Sequence, residues 1–323
     1  MIFLSPTVYL PGPVQSRVRI YFFMKNKKIL LATLPVLCVF ATSLAGCHTD
    51  QLPKLDHPRL APGVVMRDVT FFSQALNRQM PYRVFLPQKL TAGQKLPVVY
   101  LLHGNGGDYR NWSNYSDVAR YAVPSGASRG LILVTVDGGS SYYANSVGRP
   151  EDKFEDYFVR DLIADVEARF PAAKNRESRA AVGVSMGGYA AVKLALARPD
   201  LYVFVGAISP AIDVPSRRFS LRRWGQSMRF RSIFGPNNSE SRQKSDPFIL
   251  VDFADPAETP FIYLTAGEQE PLLESNRRFA VRLKERGFSY EFYTKPGGHD
   301  WGEWDSQTPG CFESLLQHIQ PTR

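Results

Sequence analysis

The chain has 323 residues, of which 44% are hydrophobic and 21% charged, a composition typical of a globular protein with a substantial core. The formal net charge of +9 falls to +4 beyond residue 46, because five lysine and arginine residues and no acid precede Cys47. This mild charge, without a basic stripe interleaved with aromatic residues outside one arginine-rich stretch, argues against a nucleic-acid-binding domain.

The N-terminal residues have the form of an export leader. Residues 1–23 have no evident role, and we expect that an upstream start replaces the true start at Met24. Residues 24–46 carry three lysines, an apolar stretch and small residues, the three parts of a secretory signal. The apolar stretch is short for a membrane span.

The leader ends in LAG before Cys47. This ending resembles the lipobox of bacterial lipoproteins, whose cysteine is acylated and becomes the new N-terminus. The resemblance implies a protein attached to a membrane through lipidated Cys47, on the periplasmic or extracellular face of the cell envelope. A simple cleaved signal and an uncleaved anchor are the alternatives.

Beyond the leader, the sequence predicts a short segment and one domain. Residues 47–62 are rich in proline and polar side chains, which predicts a tether. Residues 63–323 alternate short apolar runs with helical patterns, which predicts an α/β fold with a mainly parallel central sheet flanked by helices. The predicted strands are 64–73, 82–86, 97–102, 131–136, 180–184, 202–208, 261–265 and 290–294, and the predicted helices are 154–170, 186–197, 272–286 and 312–319.

The sequence GVSMGG at 183–188 lies between a predicted strand and a predicted helix. This is the context of the G-x-S-x-G nucleophile elbow, in which a sharp turn exposes a serine, here Ser185, at the edge of the sheet. Small residues are needed two positions before and after the serine, where the backbone folds back. The helix that follows directs its N-terminal amides at the oxygen that becomes negative in acyl transfer. The alternative is a glycine-rich turn without catalysis.

A serine hydroxyl needs a base within hydrogen-bonding reach. In this type of site the base follows the serine along the chain, and only His299 and His318 do so. His299 lies in a loop directly after a predicted strand, where catalytic side chains of an open α/β sheet belong. His299 is therefore the predicted base, and His318, in the last predicted helix, is expected to pack or to lie at the surface.

The acid that orients the histidine should lie in the loop after the predicted strand 261–265. Such an acid fixes the tautomer of the imidazole and stabilises the imidazolium. The loop offers two glutamates, of which Glu270 is the first choice and Glu268 the alternative. Asp300, or no acid at all, is the remaining possibility.

Two backbone amides are expected to form an oxyanion hole. One belongs to Met186, the residue after the serine, and the other to Asn105 in the loop HGNGG at 103–107. For that loop, a plain tight turn is the alternative. Four aromatic residues are candidate walls of the substrate pocket, with a place in the core as the alternative: Trp112, Tyr142, Tyr143 and Trp301.

Taken together, these motifs resemble the esterase D family of α/β-hydrolases, which includes S-formylglutathione hydrolases, feruloyl and tributyrin esterases and the antigen 85 acyltransferases. The resemblance runs from about residue 64 to the C-terminus and is carried by YLLHG at 100–104, VDGGSSYY at 136–143, GVSMGG at 183–188 and GGHDW at 297–301. It implies an α/β-hydrolase fold, catalysis by Ser185 and His299, and backbone amides of Asn105 and Met186 as oxyanion hole. The family's acid is usually an aspartate, so Glu270 departs from its pattern.

The stretch between the strands ending near residue 209 and starting at 261 carries six arginines between residues 217 and 231, with Trp224 among them. In this fold such an insertion forms a short arginine-rich cap. A solvated cap face is the favoured interpretation, with recognition of an acidic substrate and contact with an anionic membrane as alternatives.

The sequence therefore predicts a serine esterase that hydrolyses small acyl, aryl or carbohydrate esters through an acyl-enzyme, without a metal or an organic cofactor. Two other functions stay open: transfer of the acyl group to a sugar or lipid acceptor in the envelope, and a non-catalytic surface binding module. The sequence makes no prediction of the oligomeric state.

Overall fold

The computed structural model describes residues 55–125 and 130–319. Within these ranges, the strands are β1 (Val64–Ser73), β2 (Arg78–Pro87), β3 (Val98–Leu102), β4 (Ile132–Val136), β5 (Arg179–Val184), β6 (Phe204–Ile208), β7 (Phe261–Gly267) and β8 (Tyr290–Lys295). The α-helices are α1 (Asn111–Tyr115), α2 (Phe154–Asp156), α3 (Ile163–Arg169), α4 (Met186–Ala197), α5 (Trp224–Phe234), α6 (Glu240–Gln243), α7 (Pro247–Phe253), α8 (Leu273–Glu285) and α9 (Trp301–His318). Short 3₁₀ segments cover Val118–Ala122, Arg176–Ser178 and Leu221–Arg223, and a π-helical segment, Tyr157–Leu162, joins α2 to α3.

All the strands belong to one sheet with the order β1-β2-β4-β3-β5-β6-β7-β8. β2 pairs antiparallel with both β1 and β4, and the remaining pairings are parallel. The carboxyl ends of β3 to β8 therefore meet along one edge, where ligands bind in open α/β sheets. This architecture confirms the predicted α/β-hydrolase fold with a mainly parallel sheet.

The central strands are buried on both faces. Every residue of β3, β4, β5 and β6 is buried, which is why these strands are mainly apolar in the sequence. One core cluster contains residues of α4 and α8, and the other contains residues of α9. On the α9 side, a side chain at Gly206 would overlap Sγ of Cys311, so the helix lies directly on the backbone of β6.

The last helix is longer than predicted, because it begins at Trp301 and not at residue 312. The side chain of Asp300 caps it, accepting hydrogen bonds from Gly302 N at 2.9 Å and from Glu303 N at 3.2 Å. Pro309 lies inside this helix, and proline disfavours helix interiors. Because of this proline, a prediction from the sequence pattern misses the first half of the helix. His299 lies immediately before Asp300, the residue that caps the helix.

Residues 55–60, predicted to belong to the tether, are bound to the domain. Asp56 accepts hydrogen bonds from the guanidinium of Arg83 at 3.0 Å and 2.5 Å, and Arg59 N donates to Ser113 O at 2.7 Å. Arg83 is completely buried and also binds Asp68. A buried cation requires such partners, and residues from Leu55 onward belong to the same compact unit as the sheet.

The predicted leader, Cys47 and residues 48–54 of the predicted tether lie outside the described residues. No helix in the ranges 55–125 and 130–319 has both the length and the apolar content needed to cross a membrane.

Candidate active site

Ser185 stands at a strained turn between β5 and α4. Its φ of 52° and ψ of −110° are sparsely populated for a residue with a side chain. Hydrogen bonds on both sides maintain this conformation: Ser185 N donates to Ile208 O at 2.9 Å, and Ser185 O accepts from Ala211 N at 3.0 Å and from Tyr189 N at 3.0 Å. The turn is therefore fixed by its neighbours, as a nucleophile elbow requires.

The glycines around Ser185 are required by close backbone contacts. A Cβ at Gly183 would overlap the backbone of Gly187, and a Cβ at Gly187 would overlap the carbonyl of Leu102. The small residues at these positions therefore let the chain fold back between β5 and α4 and let α4 approach β3.

Ser185, His299 and Glu270 form a continuous hydrogen-bonded chain. Ser185 Oγ lies 2.8 Å from His299 Nε2, and His299 Nδ1 lies 2.8 Å from Glu270 Oε2. The carboxylate accepts from Nδ1–H, which leaves the lone pair of Nε2 for the serine hydroxyl. The Glu270 side chain is inaccessible to solvent, whereas that of His299 is 26% exposed. The predicted base and the first-choice acid are thus both in contact with their expected partners.

The alternative acids are placed elsewhere. Glu268 is exposed and its Oε1 accepts from Thr294 Oγ1 at 3.4 Å. Asp300 caps α9 through Gly302 N and Glu303 N. His318 packs against Phe261, with ring centroids 3.9 Å apart. None of these three side chains forms a hydrogen bond with His299 among the described residues.

The loops that carry Glu270 and His299 are hydrogen-bonded to each other. Glu268 N donates to Lys295 O at 2.8 Å and Gln269 N to Gly297 O at 2.9 Å, and Gly297 N donates to the side chain of Gln269. A side chain at Gly267 would overlap Gly297 O. The distance between acid and histidine is therefore set by the backbones of two adjacent strand ends.

The HGNGG loop lies against Ser185. A Cβ at Gly104 would lie 3.5 Å from Ser185 Cβ. His103 holds this loop: its backbone N–H donates to Tyr143 Oη at 3.1 Å, and its Nε2 accepts from Gly138 N at 3.0 Å. Nδ1 lies 2.7 Å from Gly104 O, and burial lowers the pKa of His103, so a neutral ring with its proton on Nδ1 satisfies both contacts.

An arginine of the cap insertion binds the side chain of Asn105. Arg229 Nη2 on α5 donates to Asn105 Oδ1 at 2.5 Å and to Ser140 O at 2.7 Å, while its guanidinium lies over the ring of Tyr142 at 5.9 Å. From the sequence, Arg229 was only one of several arginines in the insertion. Its contact with Asn105 could not be predicted, because residues so far apart in the chain leave no local signal of their contact. Met186 follows Ser185 directly, and Asn105 follows Gly104, which lies against Ser185. The oxyanion role of the two amides stays a prediction.

Two of the predicted pocket aromatics are internal. Trp112 and Tyr143 are fully buried; Trp112 packs edge-on against Trp301 at 5.4 Å, and Tyr143 accepts the hydrogen bond from His103. Neither side chain is accessible to solvent in this structure, and their contact with substrate stays a prediction. The sequence offers no means to separate the two outcomes, since aromatics beside a glycine loop occur in both settings.

The other two predicted pocket aromatics keep some exposure. Tyr142 is 6% exposed and packs against Phe230 and Phe234 of α5. Trp301 is half-buried, follows His299 closely in the chain and stacks on Tyr115. Their contact with substrate stays a prediction. Trp304, which the sequence analysis missed, packs edge-on against the imidazole of His299 at 5.0 Å.

No three His, Cys, Asp or Glu side chains within the described ranges are grouped so that they could hold a metal ion. The chemistry of the site is that of a hydroxyl, an imidazole and a buried carboxylate, the set of groups used in serine-dependent acyl transfer.

The family model described as "Putative esterase" matches residues 73–313. This range contains Ser185, Glu270 and His299 and covers more than half of the chain. The chain belongs to this esterase family. The esterase is 24% identical over 264 residues to an acetyl esterase of Caldicellulosiruptor saccharolyticus, a match that covers 77% of this chain and 97% of the relative.

Solved structures resemble the esterase over most of their length. A ferulic acid esterase is 25% identical with a TM-score of 0.68, covering 80% of this chain and 99% of that one. The fluorophosphonate-binding serine hydrolase F of Staphylococcus aureus is 23% identical with a TM-score of 0.66 and the same coverage of both chains. The family membership and the arrangement of the site together identify the esterase as a serine carboxylic ester hydrolase.

Proposed function

We propose that Ser185 is the nucleophile, His299 the general base and Glu270 the orienting acid of this esterase. The observation that carries the assignment is the hydrogen-bonded chain, with 2.8 Å from Ser185 Oγ to His299 Nε2 and 2.8 Å from His299 Nδ1 to Glu270 Oε2. A hydroxyl becomes a competent nucleophile only with such a base in contact.

In the proposed cycle, Ser185 Oγ attacks the ester carbonyl while its proton moves to His299 Nε2. The amides of Met186 and Asn105 stabilise the negative oxygen of the tetrahedral intermediate. His299 then protonates the leaving alcohol, and an acyl-enzyme remains on Ser185. A water molecule deprotonated by His299 attacks this acyl group, which releases the carboxylic acid and restores the serine.

For the substrate, we propose small acyl or hydroxycinnamoyl esters, including those of carbohydrates. The support is the similarity to an acetyl esterase and to a ferulic acid esterase. The predicted export leader adds a second reason, because glutathione thioesters belong to the cytosol and would not meet an exported enzyme.

We also propose that the mature esterase begins at an acylated Cys47 and is attached to a membrane of the cell envelope. The support is the signal-like sequence 24–46, which ends in a lipobox-like LAG before the cysteine. Mass spectrometry of the mature N-terminus tests this proposal. An unmodified Cys47, or a chain that begins elsewhere, would refute it.

The catalytic assignment is tested by labelling with a fluorophosphonate probe and by kinetics on p-nitrophenyl and feruloyl esters. Ser185→Ala should abolish both labelling and turnover while the protein remains folded. Label on a different residue, or turnover that survives Ser185→Ala, would refute it. Product analysis with added sugar or lipid acceptors separates hydrolysis from acyl transfer.

A further inference from the structure

The cap insertion exposes an unusual number of large apolar side chains. Four of them lie within ten residues at the start of α5 and on the segment before it: Phe219 (42% exposed), Leu221 (78%), Trp224 (56%) and Met228 (41%). We call these four residues the α5 ridge. Exposed apolar residues are common singly, but a cluster of them in one segment marks an interaction surface.

The α5 ridge is the outward face of an element whose other face is firmly packed. Trp224 and Met228 are four positions apart, so they lie on the same side of the helix, and Phe219 packs edge-on against Trp224 at 5.6 Å. Phe230 and Phe234 of the same helix are buried against the domain. The buried side chains on the inner face already attach the helix to the domain. The exposed apolar side chains of the ridge are therefore not needed for the packing of this helix.

Positive charge surrounds the ridge without compensating acids. Residues 214–239 contain no aspartate or glutamate and six arginines. Arg217 pairs with Asp213 at 2.8 Å, and Arg229 binds the neutral oxygens of Asn105 and Ser140. The other four are exposed and have no carboxylate within 4.0 Å in the described part of the chain: Arg218, Arg222, Arg223 and Arg231.

We propose that the α5 ridge docks onto an anionic lipid surface. Apolar and aromatic side chains flanked by arginines are the composition of helices that lie in a membrane interface, where tryptophan is favoured and each basic residue adds attraction to anionic headgroups. A second copy of the chain fits poorly, because a symmetric contact would bring the unpaired arginines of both copies together. A nucleic acid would neutralise the arginines but leave Leu221 and Met228 in water.

The distance from the predicted anchor is compatible with this docking. If Cys47 is acylated, as proposed above, only residues 48–54 separate it from Leu55, where the compact unit begins. A chain of that length spans at most about 25 Å. An anchored domain would thus stay close to the bilayer, and the ridge would provide a second contact.

The helix that carries part of the ridge also contacts a loop of the active site. Arg229 extends from the same helix to Asn105, in the loop beside Ser185. Docking of the ridge would therefore bring the active-site edge of the sheet near the lipid surface, where amphiphilic esters accumulate. This consequence rests on the proposed function, whereas the docking itself does not.

The test uses the full-length protein reconstituted in vesicles whose acyl chains carry bromine, which quenches tryptophan fluorescence on contact. The vesicles are made of phosphatidylglycerol or of phosphatidylcholine, and Trp224→Phe isolates the contribution of Trp224. We expect more quenching in the wild type than in Trp224→Phe with phosphatidylglycerol, and no such difference with phosphatidylcholine or at about 1 M salt. Equal quenching of the two proteins in phosphatidylglycerol would overturn the proposal.

A charge-matched pair of variants tests the arginines separately. Arg222→Gln with Arg223→Gln should lower the docking equilibrium roughly ten- to thirtyfold, since each basic residue near the surface contributes about a fivefold factor. Arg277→Gln with Lys284→Gln removes the same charge from exposed positions of α8 and should leave docking unchanged. An equal loss in both pairs would refute a specific role of the ridge. Hydrolysis of a soluble p-nitrophenyl ester should be normal in all these variants, which separates failed docking from a failed active site.

Discussion

Replacing Glu270 by glutamine tests the least conventional member of the proposed triad. The carboxylate is inaccessible to solvent and its Oε2 lies 2.8 Å from His299 Nδ1, while Oε1 has no hydrogen-bond partner among the described residues. The negative charge therefore acts on the imidazole almost alone. When His299 takes the proton of Ser185, this charge stabilises the imidazolium.

The size of the effect follows from this geometry. At an effective dielectric constant of about 20, an ion pair at that separation is worth roughly 6 kcal/mol. A glutamine retains a hydrogen bond, so we expect the barrier to rise by about 4 to 5.5 kcal/mol, which lowers kcat about 10³- to 10⁴-fold. If the amide N–H₂ of the glutamine faces Nδ1, it also forces the ring proton onto Nε2, which then cannot accept the serine proton.

The assay is kcat on p-nitrophenyl acetate, with the thermal midpoint measured to confirm that the variant is folded. Glu268→Gln is the matched control, because this neighbouring glutamate is exposed and forms no hydrogen bond with His299 in the described part of the chain. The kcat of this variant should change less than about twofold. A Glu270→Gln enzyme within about tenfold of the wild type, or an equal loss in Glu268→Gln, would refute the reasoning.

Three further predictions concern parts of the fold that support the site. Arg229→Met and Asn105→Ala should each lower kcat about tenfold, and the double variant should lose little more, since both changes remove the hydrogen bond that holds Asn105; additive losses in a double-mutant cycle would contradict this. Asp56→Asn should destabilise the domain by about 1 kcal/mol at pH 7, a value discounted for partial exposure, and lower the thermal midpoint by a few degrees. Arg83 holds the pKa of Asp56 below its usual value, so this contribution is present above about pH 4 and lost as the pH falls through the lower folded pKa; a difference between the proteins that persists at the lowest pH would contradict it. Gly187→Ala should cost about 2 to 3 kcal/mol, because its Cβ overlaps the carbonyl of Leu102; unchanged unfolding in denaturant would show that the backbone can yield.

The parts of the fold that the sequence predicted well have strong local signals. Strands β3 to β6 are buried on both faces, so each is a mainly apolar run. The elbow around Ser185 combines two required glycine positions with a strand and a helix. The contact of His299 with Ser185 could also be predicted, because only two histidines follow the serine along the chain. These features depend on neighbours in sequence, which is the information that a single sequence contains.

The parts that were missed depend on contacts between distant residues. Asp300 was considered as a triad acid but caps α9, because its side chain meets two backbone amides of that helix. The docking of residues 55–60 depends on Arg83, a buried arginine. The residues next to Arg83 in the sequence do not indicate that it is buried. Arg229 could be recognised as one of the arginines of the insertion, but its hydrogen bond with Asn105 could not be predicted. The burial of Trp112 and Tyr143 is visible only in the packed structure.

The position of Cys311 has a practical consequence. It is the only cysteine beyond residue 47, and its thiol is fully buried between α9 and the backbone of β6, where burial also raises its pKa. A maleimide or an aromatic disulfide reagent can modify it only after the helix has moved away from the sheet. The rate of its modification in the native protein therefore measures how often this layer of the domain opens, without any engineered reporter.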